Sequence, residues 1–131
     1  MKAAGLDTSV VVRLLVGVPE SQALAAKEFL DVCQQTGRRV CVSDMVVAEA
    51  YHALLYHYEV PKREAIHALR EFLSAPMIQA TGHAPSVLAD YQGTGPGLVD
   101  RIIRLDLLQS AAEIVTFAAD FAKLDKVRRL K

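Results

Sequence analysis

Short apolar runs alternate with longer amphipathic segments along this chain, and that alternation restricts the folds it can adopt. The runs have the length and β-branched content of strands, whereas the segments between them have helical spacing of apolar residues. The predicted strands cover residues 3–6, 39–42, 77–80, 113–117 and 127–130. Strands separated by helices form parallel sheets that helices cover on both faces, so we predict an α/β fold.

Proline, glycine and capping residues set the ends of the predicted helices. These helices cover residues 8–16, 20–36, 45–58, 61–73, 83–91 and 98–108. The glycine-rich stretch 93–97 is predicted to be a flexible loop, and it lacks the Gly-Lys-Ser/Thr ending of a phosphate loop. No repeat or linker divides the 131 residues, so we predict a single domain over residues 1–131.

The overall charge excludes a globally basic nucleic-acid binder, because Lys+Arg and Asp+Glu each number 15. Contact with an anionic partner would therefore need a local basic patch. We expect no membrane association, since no apolar run approaches the ~20 residues of a membrane span and the N-terminus lacks a signal-peptide pattern. The two cysteines, Cys33 and Cys41, have no metal-finger spacing and predict reduced thiols in a cytoplasmic protein.

Asp7 directly follows the first predicted strand, within the sequence Leu-Asp-Thr-Ser. If Thr8 or Ser9 caps the next helix, Asp7 lies at the carboxyl end of the strand, where open α/β sheets form their ligand crevice. The alternative is that Asp7 is itself the N-cap, which is worth about 1 kcal/mol. The sequence leaves both interpretations open.

Glu49 and Asp100 are the next carboxylates at notable positions. Glu49 lies in a largely apolar helix with no cation one turn away, so it needs water, a partner or a metal. Simple exposure to solvent is the alternative. Asp100 lies in the first turn after the glycine loop, where the helix dipole or an ion pair with Arg104 would also explain it.

Asp7, Glu49, Asp100 and Asp120 all follow strands or begin helices, so the carboxyl edge of a parallel sheet can gather them. Such a cluster repels itself unless it is protonated or holds cations. Hard oxygen ligands suit Mg²⁺ or Mn²⁺, which can generate a hydroxide and stabilise the leaving oxygen of a phosphodiester. The pattern therefore predicts metal-assisted phosphodiester chemistry.

Four blocks in this order resemble the PIN-domain family, in particular the VapC-like toxins of prokaryotic toxin–antitoxin pairs. They are residues 6–9, 43–49, 98–103 and 115–121. The resemblance spans essentially the whole chain and implies a three-layer α/β/α sandwich with a central parallel sheet. It also implies a Mg²⁺- or Mn²⁺-dependent ribonuclease that acts on RNA, a homodimer, and inhibition by a small cognate antitoxin protein.

The resemblance places Asp7, Glu49 and Asp100 at metal-ligand and catalytic positions, with Thr8 or Ser9 orienting Asp7 or a metal-bound water by hydrogen bonding. Thr116, in the fourth block, is a further candidate for such a supporting bond.

The fourth block departs from the family pattern. After Thr116-Phe117 the chain has Ala118 where the family has an acid, and Asp120 follows two residues later. Asp120 either substitutes as the fourth catalytic acid or is an ordinary turn residue. If the acid is needed for a second metal, the site holds one ion weakly.

Basic residues near these blocks are candidate RNA contacts. They are Arg13 on the first predicted helix and Lys123, Arg128 and Arg129 near the C-terminus. An ordinary solvated surface is the alternative for each of them.

Two other functions compete with the ribonuclease. Ala118 is compatible with a degenerate PIN-like domain that binds RNA or a protein partner without cleavage. A receiver-type phosphoacceptor, with Asp7 or Asp44 modified, is disfavoured because no lysine follows a late strand.

Overall fold

The computed structural model describes residues 2–131, which form six α-helices, five short β-strands and one 3₁₀ turn. In chain order the elements are β1 (Ala4–Gly5), α1 (Thr8–Val16), α2 (Glu20–Thr36), β2 (Val40–Val42), α3 (Asp44–Tyr56), α4 (Lys62–Ser74), β3 (Ile78–Ala80), α5 (Ala84–Asp90), α6 (Leu98–Leu108), β4 (Ile114–Thr116), a 3₁₀ turn (Phe121–Lys123) and β5 (Val127–Arg129). Every predicted strand and helix is present, and no end differs from the prediction by more than two residues.

The strands form two separate parallel sheets. In the first, β1 pairs with β2 and β2 pairs with β3, with Val40 opposite both Ala4 and Ile78. In the second, β4 pairs with β5, and Ile114 lies opposite Val127. The α/β class and the parallel pairing are as predicted. The hydrogen bonds divide the predicted central sheet into a three-stranded and a two-stranded part.

The main core lies between the three-stranded sheet and helices α1 to α6. Leu69, Leu88 and Leu98 are among its largest fully buried side chains, and burial of each contributes about 1.5–3 kcal/mol. Ile114 and Phe121 are also buried, but they lie outside this cluster. The C-terminal part of the chain is therefore packed separately from the main core.

Asp44 connects helix α3 to the start of helix α5. Its Oδ2 accepts a hydrogen bond from the His83 amide at 2.9 Å, and its Oδ1 accepts one from the Ala84 amide at 2.8 Å. A Cβ at Gly82 would overlap this carboxylate. The neighbouring Ser43 is the N-cap of α3 and accepts from the Val46 amide at 3.3 Å. Asp44 thus has a structural role at the carboxyl edge of the sheet.

No single helix within residues 2–131 is long and apolar enough to cross a bilayer. Helices α1 and α2 taken together are long and apolar enough, by length and composition only, and they are bent by 106° at their junction.

Candidate active site

Asp7 is the N-cap of helix α1, so the expectation that Thr8 or Ser9 caps this helix is wrong. Asp7 Oδ1 accepts from the Val10 amide at 3.2 Å and from Ser9 Oγ at 2.7 Å. Asp7 takes the cap because its backbone is extended (φ −88°, ψ 177°), whereas Thr8 is already helical. The Ser9 hydroxyl first, and then the Val10 amide, hold the pKa of Asp7 below its ordinary value.

The cap does not use the whole carboxylate. Both of these hydrogen bonds end on Oδ1, and Oδ2 accepts neither of them. Asp7 is exposed, and it combines a fixed carboxylate with an oxygen atom that the cap does not use. The two roles that the sequence presented as alternatives are therefore compatible.

Glu49 is held beside Asp7 by the other hydroxyl of the same turn. Thr8 Oγ1 donates to Glu49 Oε1 at 2.7 Å and so joins the start of α1 to the middle of α3. Glu49 is exposed, as expected from the alternative that its side chain simply lies in solvent. It nevertheless has a polar partner that orients it. In the structure the Ser9 hydroxyl therefore donates to Asp7, and the Thr8 hydroxyl donates to Glu49.

Asp7 and Glu49 line one open depression of about 580 Å³. Arg13, His57 and Tyr58 line it as well. Arg13 lies at the predicted position near Asp7, and its Nε donates to Gln22 Oε1 at 2.7 Å.

The prediction from sequence missed His57 and Tyr58. Helical spacing could have found His57, because residues 49, 53 and 57 follow one another at i+4 along α3 and its C-cap.

Asp100 lies in the first turn of α6, directly after the loop, and is half-buried. Burial is the main cause that raises the pKa of Asp100, and the negative charge of Asp120 raises it further. Arg104, the alternative partner, donates its Nε to the Asp125 carbonyl at 2.7 Å. Within the described residues no cation lies within ion-pair distance of Asp100.

Asp120 lies close enough to Asp100 for its negative charge to raise the pKa of Asp100. It is exposed and occupies the cap position of the 3₁₀ turn, but its side chain makes no capping bond. Its Oδ1 instead pairs with Lys123 Nζ at 3.0 Å. Lys123, a candidate RNA contact, is thus the counter-ion of Asp120.

The remaining candidates make local contacts. Thr116 Oγ1 accepts from the Ala118 amide at 3.0 Å, which stabilises the turn after β4. Arg128 pairs with Glu113 at 2.9 Å, and Arg129 Nε donates to the Phe117 carbonyl at 3.3 Å. The supporting role of Thr116 and the RNA contacts of both arginines stay predictions.

The four predicted carboxylates fall into two pairs, Asp7 with Glu49 and Asp100 with Asp120. Within residues 2–131 no group of three or more His, Cys, Asp or Glu residues could hold a metal ion. Mg²⁺ binds through one or two carboxylates and keeps several waters, so the donor chemistry of either pair fits it. A cation would also relieve the repulsion between Asp100 and Asp120.

Comparison with known proteins identifies the family to which this arrangement belongs. No curated protein matches the chain. The family model described as PIN domain matches residues 5–127, which include all four candidate acids. The PIN domain is a nuclease-type fold, and its nucleases generally use divalent metal ions. The chain belongs to the PIN domain family.

Proposed function

We propose that the protein is a metal-dependent endoribonuclease that hydrolyses RNA phosphodiester bonds. The observation that supports this most is the turn at residues 7–9, where two hydroxyls and an amide fix two carboxylates from different helices at one depression. A purely structural helix cap needs Asp7 alone. The bond between Thr8 and Glu49 adds no cap, but it positions a second acid.

The residues of the chain have distinct roles in this proposal. Asp7 and Glu49 present oxygen ligands to Mg²⁺ or Mn²⁺, while Ser9 keeps Asp7 ionised and Thr8 orients Glu49. Asp100 supplies the third acid. A divalent ion held by these residues would supply the positive charge that activates a water nucleophile and stabilises the leaving oxygen of the phosphodiester.

RNA is the proposed substrate, and Arg13 is the best placed of the predicted contacts. It lines the same depression as Asp7 and Glu49, and its two Nη groups make no hydrogen bond within the described residues. A guanidinium there can hold a phosphate beside the two acids. The other basic candidates already pair with Asp120, Glu113 or the Phe117 carbonyl.

Calorimetric titration with Mn²⁺ and cleavage of a fluorescent RNA test the proposal. Asp7→Asn keeps an N-cap but removes the charge, so we expect loss of Mn²⁺ binding and of cleavage with an unchanged fold. Asp31→Asn is the matched control, because Asp31 is exposed on α2 and its side chain makes no hydrogen bond or ion pair in the described chain. Equal Mn²⁺ affinity in wild type and Asp7→Asn would refute the metal site.

A PIN-like domain that binds RNA or a protein partner without cleavage is the second candidate. Ala118 favours it, because the position after Thr116-Phe117 carries no acid and its amide closes a local turn. Ala118→Asp and Asp120→Asn distinguish the two. If Asp120 substitutes for the missing acid, Asp120→Asn weakens Mn²⁺ binding. If only Ala118→Asp binds Mn²⁺, the natural site is degenerate.

We also propose the finer assignment, the toxin of a toxin–antitoxin pair that forms a homodimer and binds a small antitoxin. The sequence resemblance to VapC-like toxins supports it. The prediction is growth arrest on expression of the wild type, and normal growth on expression of Asp7→Asn.

A further inference from the structure

Helix α3 ends in a group of aromatic rings close to the candidate acids. The rings of His52 and Tyr56 lie one helical turn apart, with their centroids at 4.6 Å and their planes inclined by 50°. His57 and Tyr58 follow directly, with centroids at 4.7 Å and planes at 85°. Tyr56 is 72% exposed, and both histidines are exposed as well. The three exposed rings therefore lie outside the hydrophobic core.

These rings line a second open depression, which is continuous with the one beside Asp7. It has a volume of about 640 Å³ and shares three residues of α3 with the depression beside Asp7: Glu49, Ala53 and His57. The three follow one another at i+4, and the middle one has only a methyl group, so the ridge between the two depressions is low. Val99 of α6, the residue before Asp100, also lines the second depression. A ligand that occupies both depressions thus crosses α3 beside Glu49.

The two depressions offer different chemistry. Arg13 lines the depression beside Asp7, where its guanidinium can bind a phosphate. No lysine or arginine of residues 2–131 lines the second depression, and Glu49 there would repel a phosphate. Its exposed aromatic rings can instead stack with a nucleobase, since every base has a π-face. The two depressions therefore match the two parts of a nucleotide, its phosphate and its base.

A nucleobase fits this surface better than an apolar protein partner does. The core of a protein interface is depleted of charged residues, whereas the charged Glu49 lines this depression. The only aliphatic side chains of the described chain that line it are two alanines and Val99. Rings with polar atoms, and not an extended aliphatic patch, thus form most of the surface around Tyr56.

We propose that Tyr56 and His52 form a stacking platform for one nucleobase of the RNA, while Arg13 holds a neighbouring phosphate beside Asp7. The base lies on the exposed ring of Tyr56, and the contact with His52 holds that ring in place. The small side chain of Ala53 leaves room for the RNA to pass over α3. This platform rests on the proposed nuclease function and positions the RNA at its site.

A single tryptophan tests the platform directly, because the chain contains none. Tyr56→Trp keeps an aromatic ring at the platform. Phe117→Trp is the matched control, since Phe117 is 73% exposed and lines neither depression. Both variants are titrated with a single-stranded oligoribonucleotide in EDTA, so that no metal binds and no cleavage occurs. Stacking with a base quenches indole fluorescence, so we expect saturable quenching of Tyr56→Trp and none of Phe117→Trp. Unchanged emission of Tyr56→Trp would overturn the platform.

Fluorescence anisotropy with the same RNA separates stacking from charge. Tyr56→Phe retains the ring and should bind as the wild type does. Tyr56→Leu should raise Kd about tenfold, as expected for the loss of one stacked base, with an unchanged dependence on salt. Arg13→Ala should instead reduce the slope of log K against log salt by about one. Equal affinity of Tyr56→Leu and Tyr56→Phe would overturn the platform.

Other occupants and the nuclease function have separate readouts. A blue shift of the Tyr56→Trp emission with rising protein concentration, without RNA, would mean that a second copy of the chain covers the ring, which overturns the platform. Because RNA binding is measured in EDTA, failure of the platform leaves the Mn²⁺ test of the nuclease unaffected. Equal Mn²⁺ affinity in wild type and Asp7→Asn would refute the nuclease site alone.

Discussion

Asp44→Ala is expected to destabilise the protein because Asp44 accepts two backbone hydrogen bonds at the start of α5. A hydrogen bond to a charged group contributes about 1.5–3 kcal/mol. Water can replace part of the stabilisation from these two hydrogen bonds, since Asp44 is only half-buried. We therefore expect the free energy of unfolding to fall by about 2–3 kcal/mol. With an unfolding entropy of about 2.1 cal/mol/K per residue, the loss lowers Tm by roughly 7–11 °C.

Urea unfolding followed by circular dichroism measures this loss, and Asp31→Ala is the control. Asp31 is exposed on α2 without a side-chain partner in the described chain, so its replacement should change the free energy of unfolding by less than about 0.5 kcal/mol. An Asp44→Ala variant as stable as that control would refute the role assigned to the two hydrogen bonds.

Gly82→Ala provides a sharper test of the same contact. A Cβ at residue 82 overlaps the Asp44 carboxylate, so the substitution alone should cost about 1–3 kcal/mol. In the Asp44→Ala background the overlap is gone, and Gly82→Ala should be nearly neutral. Equal cost of Gly82→Ala in both backgrounds would show that the carboxylate is elsewhere in solution.

Three further substitutions test other contacts. Thr8→Val keeps the side-chain shape but removes the hydrogen bond to Glu49. We expect the rate of RNA cleavage to fall about tenfold, which corresponds to about 1.4 kcal/mol, while the free energy of unfolding stays nearly unchanged. Equal cleavage rates in the variant and the wild type would refute the positioning role of Thr8. Arg128→Ala removes the guanidinium that lowers the pKa of Glu113, so NMR titration should show this pKa rising towards its ordinary value. Because the pKa is lowered in the folded protein, the small stabilisation from the pair is present above the ordinary carboxyl pKa and is lost as pH falls through the lowered one. Leu69→Ala, at a side chain with no exposed surface, should cost about 2–5 kcal/mol in chemical denaturation, and a smaller loss would contradict the assigned core.

The sequence predicted the helices and strands well because their signals are local. Gly17 and Gly37 end helices α1 and α2 with positive φ, as glycine at a helix end predicts. Which of Asp7 and Thr8 caps helix α1 could not be predicted, because either residue type can cap a helix and only the backbone angles decide.

The sequence did not predict which of the candidate acids lie beside each other. Asp7 and Glu49 are adjacent because Thr8 joins them across 41 positions. The separation of β4–β5 from the other strands is a question of how sheets associate, which depends on contacts between distant residues. Local patterns indicate that strands form, but they contain little information on which edges meet.

The helix cap at Asp7 has a consequence for mutational analysis of this turn. Alanine at residue 7 would remove the cap and the proposed metal ligand together, with a loss of about 1 kcal/mol in stability from the cap alone. Asparagine keeps the acceptor for the Val10 amide and removes only the charge. In this protein, therefore, an alanine scan would attribute part of a folding defect to chemistry, and only the isosteric substitution separates the two.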